Sequence, residues 1–145
     1  MVEIKVLAEK GAVIPVYKTE GSAGADVSAF LPSSSLIINP HEFRLIRTGL
    51  KFEIPHGYEI QVRPRSGLAA KNGITVLNAP GTIDSDYRGE LQVILINLSD
   101  VPFEIKNGDR IAQLVIAPVV TAEFNETCII SSSSRGEGGF GSTGV

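Results

Sequence analysis

The chain has 145 residues, of which 43% are hydrophobic and 20% charged, and its formal net charge is −3. This length fits one domain with a sizeable core, and the negative charge argues against nucleic-acid coating or basic membrane binding. Cys128 is the only cysteine, so no disulfide can form within the chain, which favours a reducing, cytoplasmic compartment. No uncharged run approaches the roughly 20 residues that a membrane span needs.

Short apolar runs between turn residues indicate an all-β domain, because fifteen Gly, eight Pro and little helical periodicity accompany them. Ala12–Tyr17 is apolar, but Pro15 restricts it to a sheet edge or a bend. Strands are predicted at Ile4–Leu7, Leu36–Ile38, Phe43–Ile46, Thr48–Ile54, Tyr58–Arg63, Ile74–Leu77, Leu91–Asn97, Val101–Lys106 and Asp109–Ile116.

Asp26 is the only charge in the small-residue segment Gly21–Ala29. A carboxylate in such an apolar segment needs a partner or a function. Capping a local turn is an equally good explanation from these residues alone.

One short helix is predicted between Pro64 and Gly73, with Ser66 as its N-cap and Gly73 ending it. A helix that opens Arg65-Ser66-Gly67 presents free N–H groups, a guanidinium and a hydroxyl to an anion. The alternative is a capped connecting helix whose Arg65 is solvated.

The stretch Asn78–Glu90 carries an amide, a Pro-Gly turn, Asp84, Asp86, Tyr87 and an arginine within thirteen residues. Polar turn residues of this kind are typical of a β-hairpin tip. So many reactive and hydrogen-bonding side chains close together also suit a functional site. The stretch alone does not decide between a hairpin tip and a functional site.

Two further segments carry polar residues that need an explanation. Arg110 and Gln113 fall on a predicted core strand, where they require hydrogen-bond partners. The Gly/Ser-rich segment 131–145 has the composition of a flexible arm. It nevertheless contains the lone aromatic Phe140, and Arg135 with the glycines and hydroxyls there resembles a phosphate cradle.

Five segments in this order resemble the motifs of the homotrimeric dUTP diphosphatase (dUTPase) family. They are Ala23–Val27, Pro64–Ala69, Gly81–Glu90, Gly108–Leu114 and Arg135–Gly144. Each is weak alone, but the ordered set covers nearly the whole chain and is highly specific.

The resemblance implies a single-domain, jelly-roll-like (β-clip) barrel over residues 1–130, with one short helix and a flexible C-terminal arm over 131–145. It implies hydrolysis of dUTP to dUMP and diphosphate with Mg²⁺, which limits uracil incorporation into DNA and supplies the dTMP precursor. It also implies a homotrimer whose active sites are shared between subunits, and neither a nucleic acid nor a membrane as partner.

By resemblance, Asp84 orients and activates the water that attacks the α-phosphorus, while Asp86 is a rival that physical reasoning does not separate from it. Tyr87 is expected to lie against the deoxyribose and to exclude a 2′-hydroxyl. Asn78 is expected to bind uracil, assisted by backbone groups of the turn that includes Gly81, Thr82 and Ile83.

The resemblance assigns the remaining residues to the triphosphate and to the metal. Asp26 is expected to reach Mg²⁺ through water, Phe140 to stack on uracil, and Arg110 to tie strands together. Phosphate contacts are expected from Arg65, Ser66, Gly67, Gln113, Arg135, Gly141, Ser142 and Thr143.

Two alternatives stay open at this point. A dCTP deaminase, or a bifunctional deaminase–diphosphatase, shares this fold and differs in releasing ammonia from dCTP. A non-catalytic nucleotide-binding module is expected to have lost Asp84, Arg65 or Arg135, and all three are present.

Overall fold

The computed structural model of the chain describes residues 1–139. The regular secondary structure of this part is almost entirely β-strand, as the sequence predicts. Its elements are β1 (Lys5–Ala8), β2 (Ala25–Ser28), β3 (Leu36–Ile38), β4 (Phe43–Arg47), β5 (Leu50–Glu53), β6 (Tyr58–Arg63), α1 (Ser66–Asn72), β7 (Ile74–Val76), β8 (Gly81–Ile83), β9 (Gln92–Asn97), β10 (Phe103–Ile105) and β11 (Arg110–Pro118).

The strands form an antiparallel domain of the jelly-roll type. The two larger sheets have the strand orders β2-β11-β6-β8 and β4-β9-β7, and two pairs, β1-β5 and β10-β3, complete the set. Strand neighbours are far apart in sequence, so most of the sheet contacts are long-range.

The core lies between the sheets because alternate residues of each strand point inward. Ile60 and Val62 on β6 and Val93 and Leu95 on β9 are at most 3% exposed. The predicted strand Tyr58–Arg63 therefore forms with alternating burial, and Glu59, Gln61 and Arg63 lie on its outer face. On β9 the polar Asn97 is buried instead.

The short helix forms where the sequence predicts it, but its N-cap is Arg65 and not Ser66. Ser66 already has helical geometry, so its hydroxyl is not placed to cap the free N–H groups, and no side-chain capping bond forms. Gly73 ends the helix as predicted: its φ is 65°, and its N–H donates to the carbonyls of Ala69 and Leu68.

Asn78–Glu90 connects β7 and β9, which pair with each other antiparallel, so the flanking strands are arranged as in a hairpin. The connection is not a plain turn, because it contains β8, which pairs with β6. The stretch leaves the β4-β9-β7 sheet, adds a strand to the other large sheet and returns. The sequence did not predict β8, because a strand of three residues is too short to show alternation.

The Ala12–Tyr17 segment behaves as a bend, with one isolated bridge from Val16 to Asp26. β11 begins at Arg110, where its register against β2 shifts, so the Arg110 side chain is 47% exposed and not buried as predicted. Gln113 is half-buried.

Within residues 1–139, regular structure ends at Pro118, and residues 119–137 are exposed. The division into a domain of residues 1–130 and an arm of 131–145 therefore remains a prediction. The single helix within residues 1–139 has seven residues, far fewer than a bilayer crossing requires.

Candidate active site

Asp26 is a buried carboxylate that contacts two arginines that are more exposed. Its side chain is 7% exposed, its Oδ1 lies 3.3 Å from Arg65 Nε, and its Oδ2 accepts a hydrogen bond from Arg110 Nη1 at 2.9 Å. Arg65 Nη1 also donates to the Arg110 carbonyl at 2.9 Å. The sequence predicts that Asp26 needs a partner, and two guanidinium groups provide it.

Strand register brings this cluster together. Gln113 on β11 lies opposite Asp26 on β2 and opposite Arg63 on β6, two residues before Arg65. Gly24 allows close approach, since a Cβ there would lie 3.1 Å from the Gln113 Cβ. Three segments that are remote in sequence thus present two cations and an amide close together.

The loop after β8 is a compact turn. The Tyr87 N–H donates to the Asp84 carbonyl at 3.2 Å, and Arg88 Nη1 donates to the carbonyls of Ser85 and Tyr87 at 2.7 and 3.1 Å. Asp84 and Asp86 are both exposed. The backbone of the turn is therefore held while its carboxylates face solvent.

Tyr87 packs against the backbone of Gly89. A Cβ at Gly89 would overlap the Tyr87 hydroxyl and ring, so only glycine permits this approach. The hydroxyl donates to the Glu90 carbonyl at 3.1 Å, while the side chain keeps 46% exposure. One side of the ring is thus fixed and the other is open to a ligand.

Asn78 lies over Gly81, with its Nδ2 3.2 Å from the position of a Cβ at that glycine. Gly81 begins β8, an edge strand paired only with β6 in its sheet. Alternate N–H and C=O groups of an edge strand point away from its neighbour and can bind a planar ligand. An amide and a free backbone edge therefore lie together.

Asp84 and Tyr87 border one cleft of about 230 Å³, together with Thr82 and Ile83. Asp86 does not line this cleft. It lines a larger one of about 500 Å³ with His56 and Glu59, which Asp84 also borders. Asp84 thus borders both clefts, whereas Asp86 borders only the larger one.

Arg65 and Arg110 line a different cleft, of about 300 Å³, beside Leu68 and Asp109. Arg65, expected to bind phosphate, thus borders a different cleft from Asp84 and Tyr87, which are expected to face the attacking water and the sugar. Ser66 and Gly67 are exposed at the start of α1, and a Cβ at Gly67 would meet no atom within 4 Å.

Arg135 makes a local contact: its Nε donates to the Gly138 carbonyl at 2.7 Å. Phe140, Gly141, Ser142 and Thr143, which the sequence assigns to the arm's binding role, lie outside the described residues.

Glu90, Arg47 and Arg88 support the Tyr87 loop, and sequence reasoning assigned none of them a part. Glu90 and Arg88 fall within the central stretch, so their position offered a signal. Arg47 lies on a separate strand, and nothing local indicates that it contacts Glu90.

Among residues 1–139, no three His, Cys, Asp or Glu side chains are grouped to hold a metal ion. Asp26 supplies the carboxylate chemistry that Mg²⁺ prefers, but both of its oxygens face guanidinium groups. The donor set suits an ion held mainly by a ligand's oxygens and reached from Asp26 through water.

Fold and site together define a β-domain that presents a paired-arginine cluster and a separate acidic loop with a tyrosine against a sheet edge. The chain belongs to the dUTPase family, whose profile matches residues 10–144.

Similar proteins carry the same family's name. Deoxyuridine 5′-triphosphate nucleotidohydrolase of Beijerinckia indica is 59% identical over 143 residues, covering 97% of this chain and 89% of the relative. The protein of that name from Nautilia profundicola is also 59% identical, over 142 residues, with coverages of 98% and 97%.

Solved structures agree with the fold. The Staphylococcus bacteriophage 80alpha dUTPase with dUPNHPP is 29% identical and covers 99% of both chains, with a TM-score of 0.89. A mutant dUTPase from phage phi11 of S. aureus, described with a structural Mg(II) ion, is 25% identical with a TM-score of 0.78. That alignment covers 90% of this chain and 99% of the phage chain.

Proposed function

We propose that this protein hydrolyses dUTP to dUMP and diphosphate. Family membership and the names of the relatives support this activity. The observation that carries the proposal is the cleft that Asp84 shares with Tyr87, at the edge strand where Asn78 lies. Cleavage of a deoxynucleotide requires groups that bind the base, a surface that contacts the sugar and a carboxylate that can activate water. The β8 edge with Asn78, the Tyr87 ring and Asp84 can supply them.

Base recognition is assigned to Asn78 and the free edge of β8. Uracil presents a donor between two acceptors, and a fixed amide with strand N–H and C=O groups can match that pattern. Cytosine would place its amino donor where a carbonyl is expected, leaving polar groups unpaired, which is costly inside a closed site.

Asp84 is proposed to orient and activate the attacking water, because it borders the Tyr87 cleft and Asp86 does not. An exposed carboxylate on a held turn can accept a proton from water as the water attacks the α-phosphorus in line with the leaving diphosphate. Tyr87, fixed on its Gly89 side, is proposed to lie against the sugar and exclude a 2′-hydroxyl.

The triphosphate is assigned to Arg65 and Gln113, with Ser66 and Gly67 at the start of α1. Charge-assisted hydrogen bonds from a guanidinium and free helical N–H groups suit phosphate oxygens. Arg110 is proposed to orient Arg65 and Asp26 and not to bind phosphate itself. Arg135, Gly141, Ser142 and Thr143 are proposed to bind the γ-phosphate, and Phe140 to stack on uracil.

Mg²⁺ is proposed to neutralise charge on the triphosphate. Asp26 would hold the ion through water, since its oxygens already pair with Arg65 and Arg110 and Mg²⁺ usually keeps several waters. The contacts to the two guanidinium groups fix the orientation of the Asp26 carboxylate, which is what an outer-shell contact needs.

We further propose that three copies of the chain assemble around shared sites. One face of the β4-β9-β7 sheet is uncovered: Phe43 and Leu45 are 52% and 55% exposed and lie opposite Ile96 and Ile94. Leu45 and Ile94 also line the Asp84 cleft. A second copy on this face would sit beside that cleft and could bring its arginine cluster to it.

The segment after β11 supports the same assembly. Val120, Phe124, Ile129 and Ile130 are 83–95% exposed, which is unusual for large apolar side chains unless a partner covers them. We propose that this segment leads residues 131–145 to the site of neighbouring copies. A cytoplasmic location is proposed because the chain has a single, exposed cysteine.

A diphosphate-release assay with Mg²⁺ on dUTP, dCTP, dTTP and UTP tests the proposal. Release from dUTP, far exceeding release from the other three, is expected. Ammonia release from dCTP would identify a deaminase instead, and binding of dUTP without turnover would identify a non-catalytic module.

A further inference from the structure

Glu90 and Arg47 form an ion pair directly behind the Tyr87 loop, and neither has a part in the chemistry proposed above. Arg47 Nε lies 3.0 Å from Glu90 Oε2 and 3.2 Å from Oε1, and the Gly49 N–H donates to Oε1 at 2.8 Å. The Glu90 side chain is only 17% exposed. Three hydrogen bonds therefore hold a largely buried carboxylate.

Arg47 is itself held on its other side. Its guanidinium also contacts Glu9 and lies 5.6 Å from the centroid of the Phe30 ring. The hydrogen bond and charge of Glu90, followed by those of Glu9, raise the pKa of Arg47, so this cation is present at every pH of interest. The Arg47 side chain is therefore held in place at the end of β4.

Glu90 connects Arg47 to Tyr87, because its side chain contacts Arg47 and its backbone contacts Tyr87. The Tyr87 hydroxyl donates to the backbone carbonyl of Glu90, whose side chain Arg47 and Gly49 hold. The next residue, Leu91, is buried, and its N–H donates to the Leu50 carbonyl at 2.8 Å. With its side chain and its following residue both fixed, Glu90 can present its carbonyl in one direction only.

We propose that Glu90 and Arg47 are positioning residues that hold Tyr87 at the sugar subsite and so set the discrimination between deoxyribose and ribose. The proposal rests on the proposed function, in which Tyr87 lies against the sugar. Excluding one hydroxyl requires the ring to keep its place within a fraction of an ångström. Without the Glu90 carboxylate, the Glu90–Leu91 peptide, which carries this carbonyl, is held only through the Leu91 N–H. The carbonyl can then tilt away from the Tyr87 hydroxyl, and the ring gains room to move.

Glu90→Ala removes the carboxylate and keeps the backbone carbonyl, whereas Glu90→Gln keeps an oxygen for Gly49 and Arg47. Arg47→Gln tests the other end of the pair. Glu9→Gln is the matched control, because it removes the other carboxylate at Arg47 and leaves Glu90 untouched. Each variant is assayed for kcat/KM on dUTP and UTP with Mg²⁺.

A second measurement does not depend on activity. The chain has three tyrosines, so protein labelled with 3-fluorotyrosine gives three ¹⁹F resonances, and Tyr87→Phe identifies that of Tyr87. This spectrum reports the ring's environment even if the wild-type protein does not hydrolyse dUTP, an outcome that would remove the proposed function and not the positioning.

In Glu90→Ala and Arg47→Gln, the Tyr87 resonance is expected to shift or broaden while the other two stay in place. The preference for dUTP over UTP is expected to fall about tenfold, the scale of a small displacement in a fitted site. Glu90→Gln should recover most of this preference. If Glu90→Ala does not fold, the resonance and the preference of Arg47→Gln, compared with those of Glu90→Gln, test the positioning role.

An unchanged Tyr87 resonance and preference in folded Arg47→Gln would overturn the proposal. So would equal effects from Glu9→Gln, because they would trace the change to general disturbance of the Arg47 cluster.

Discussion

Asp26 Oδ2 accepts a hydrogen bond from Arg110 Nη1 at 2.9 Å, although 84 residues separate the two in the chain. The contact joins β2 to the start of β11, and Arg65 completes it from the loop before α1. Arg110 thereby fixes the Asp26 carboxylate, which in turn contacts Arg65, the cation that is proposed to bind phosphate.

Asp26→Asn is expected to destabilise the protein by about 2 kcal/mol, because it leaves two guanidinium groups without their shared anion. Urea denaturation measures the change. Lys106→Gln, which removes an exposed ion pair with Glu104, is the control and should alter stability by less than about 0.5 kcal/mol. Equal effects of the two would show that the Asp26 cluster is no more important than a surface pair.

Asp84→Asn should fold normally and lose turnover of dUTP by about 10²- to 10⁴-fold, since the amide cannot accept the proton of the attacking water. Asp86→Asn is the matched variant and should retain most activity, because Asp86 lines the other cleft. Diphosphate release under saturating dUTP measures both. A larger loss from Asp86→Asn would exchange the roles of the two carboxylates.

Gly89→Ala should weaken sugar discrimination, because the new Cβ would overlap the Tyr87 ring and displace it. The ratio of kcat/KM for dUTP and UTP should fall by about tenfold or more. Gly21→Ala is the control: a Cβ there meets no atom within 4 Å. A ratio unmoved by Gly89→Ala would separate Tyr87 from sugar recognition.

Ending the chain at Ser134 should leave a folded oligomer with weak turnover. The residues removed include Arg135 and those expected to close the site, so kcat/KM for dUTP should drop by roughly 10²-fold as water and substrate are less well ordered. Sedimentation velocity measures the oligomeric state of the truncated protein, and a steady-state assay measures its kcat/KM for dUTP. Normal kinetics would show that the arm has no part in catalysis.

A pH effect is expected at the β1-β5 pair. Lys5 Nζ lies 2.8 Å from Glu53 Oε1, and this hydrogen bond, then the Lys5 charge, lowers the pKa of Glu53 below its ordinary 4.5. A carboxyl whose pKa is lower in the folded state stabilises the fold above its ordinary pKa, and this contribution is lost as pH falls through the lowered value.

Carboxyl ¹³C titration checks this expectation. Lys5→Gln should raise the pKa of Glu53 back towards 4.5, whereas Lys71→Gln, on α1, should leave it unchanged. A Glu53 titration that is the same in both variants would contradict the pairing.

Local features of the structure could be predicted because their causes are local. Alternation located β6, and Gly73 marked the end of α1, since φ of 65° suits glycine. Ser66 was predicted to be the N-cap because serine is common at that position. This preference does not determine which residue is the first with helical geometry. Arg65, held by distant groups, takes the extended conformation that begins the helix.

Composition, alternation and motif order were enough to predict the all-β class, the position of α1 and the motif set that identifies the family, because these are properties of the chain itself. Three contacts became visible only in the folded chain: β8, within Asn78–Glu90, pairs with β6, Asp26 joins Arg65 and Arg110, and Asp84 shares a cleft with Tyr87. Those contacts depend on strand pairing between remote segments, and the alternation along a strand does not encode its neighbour.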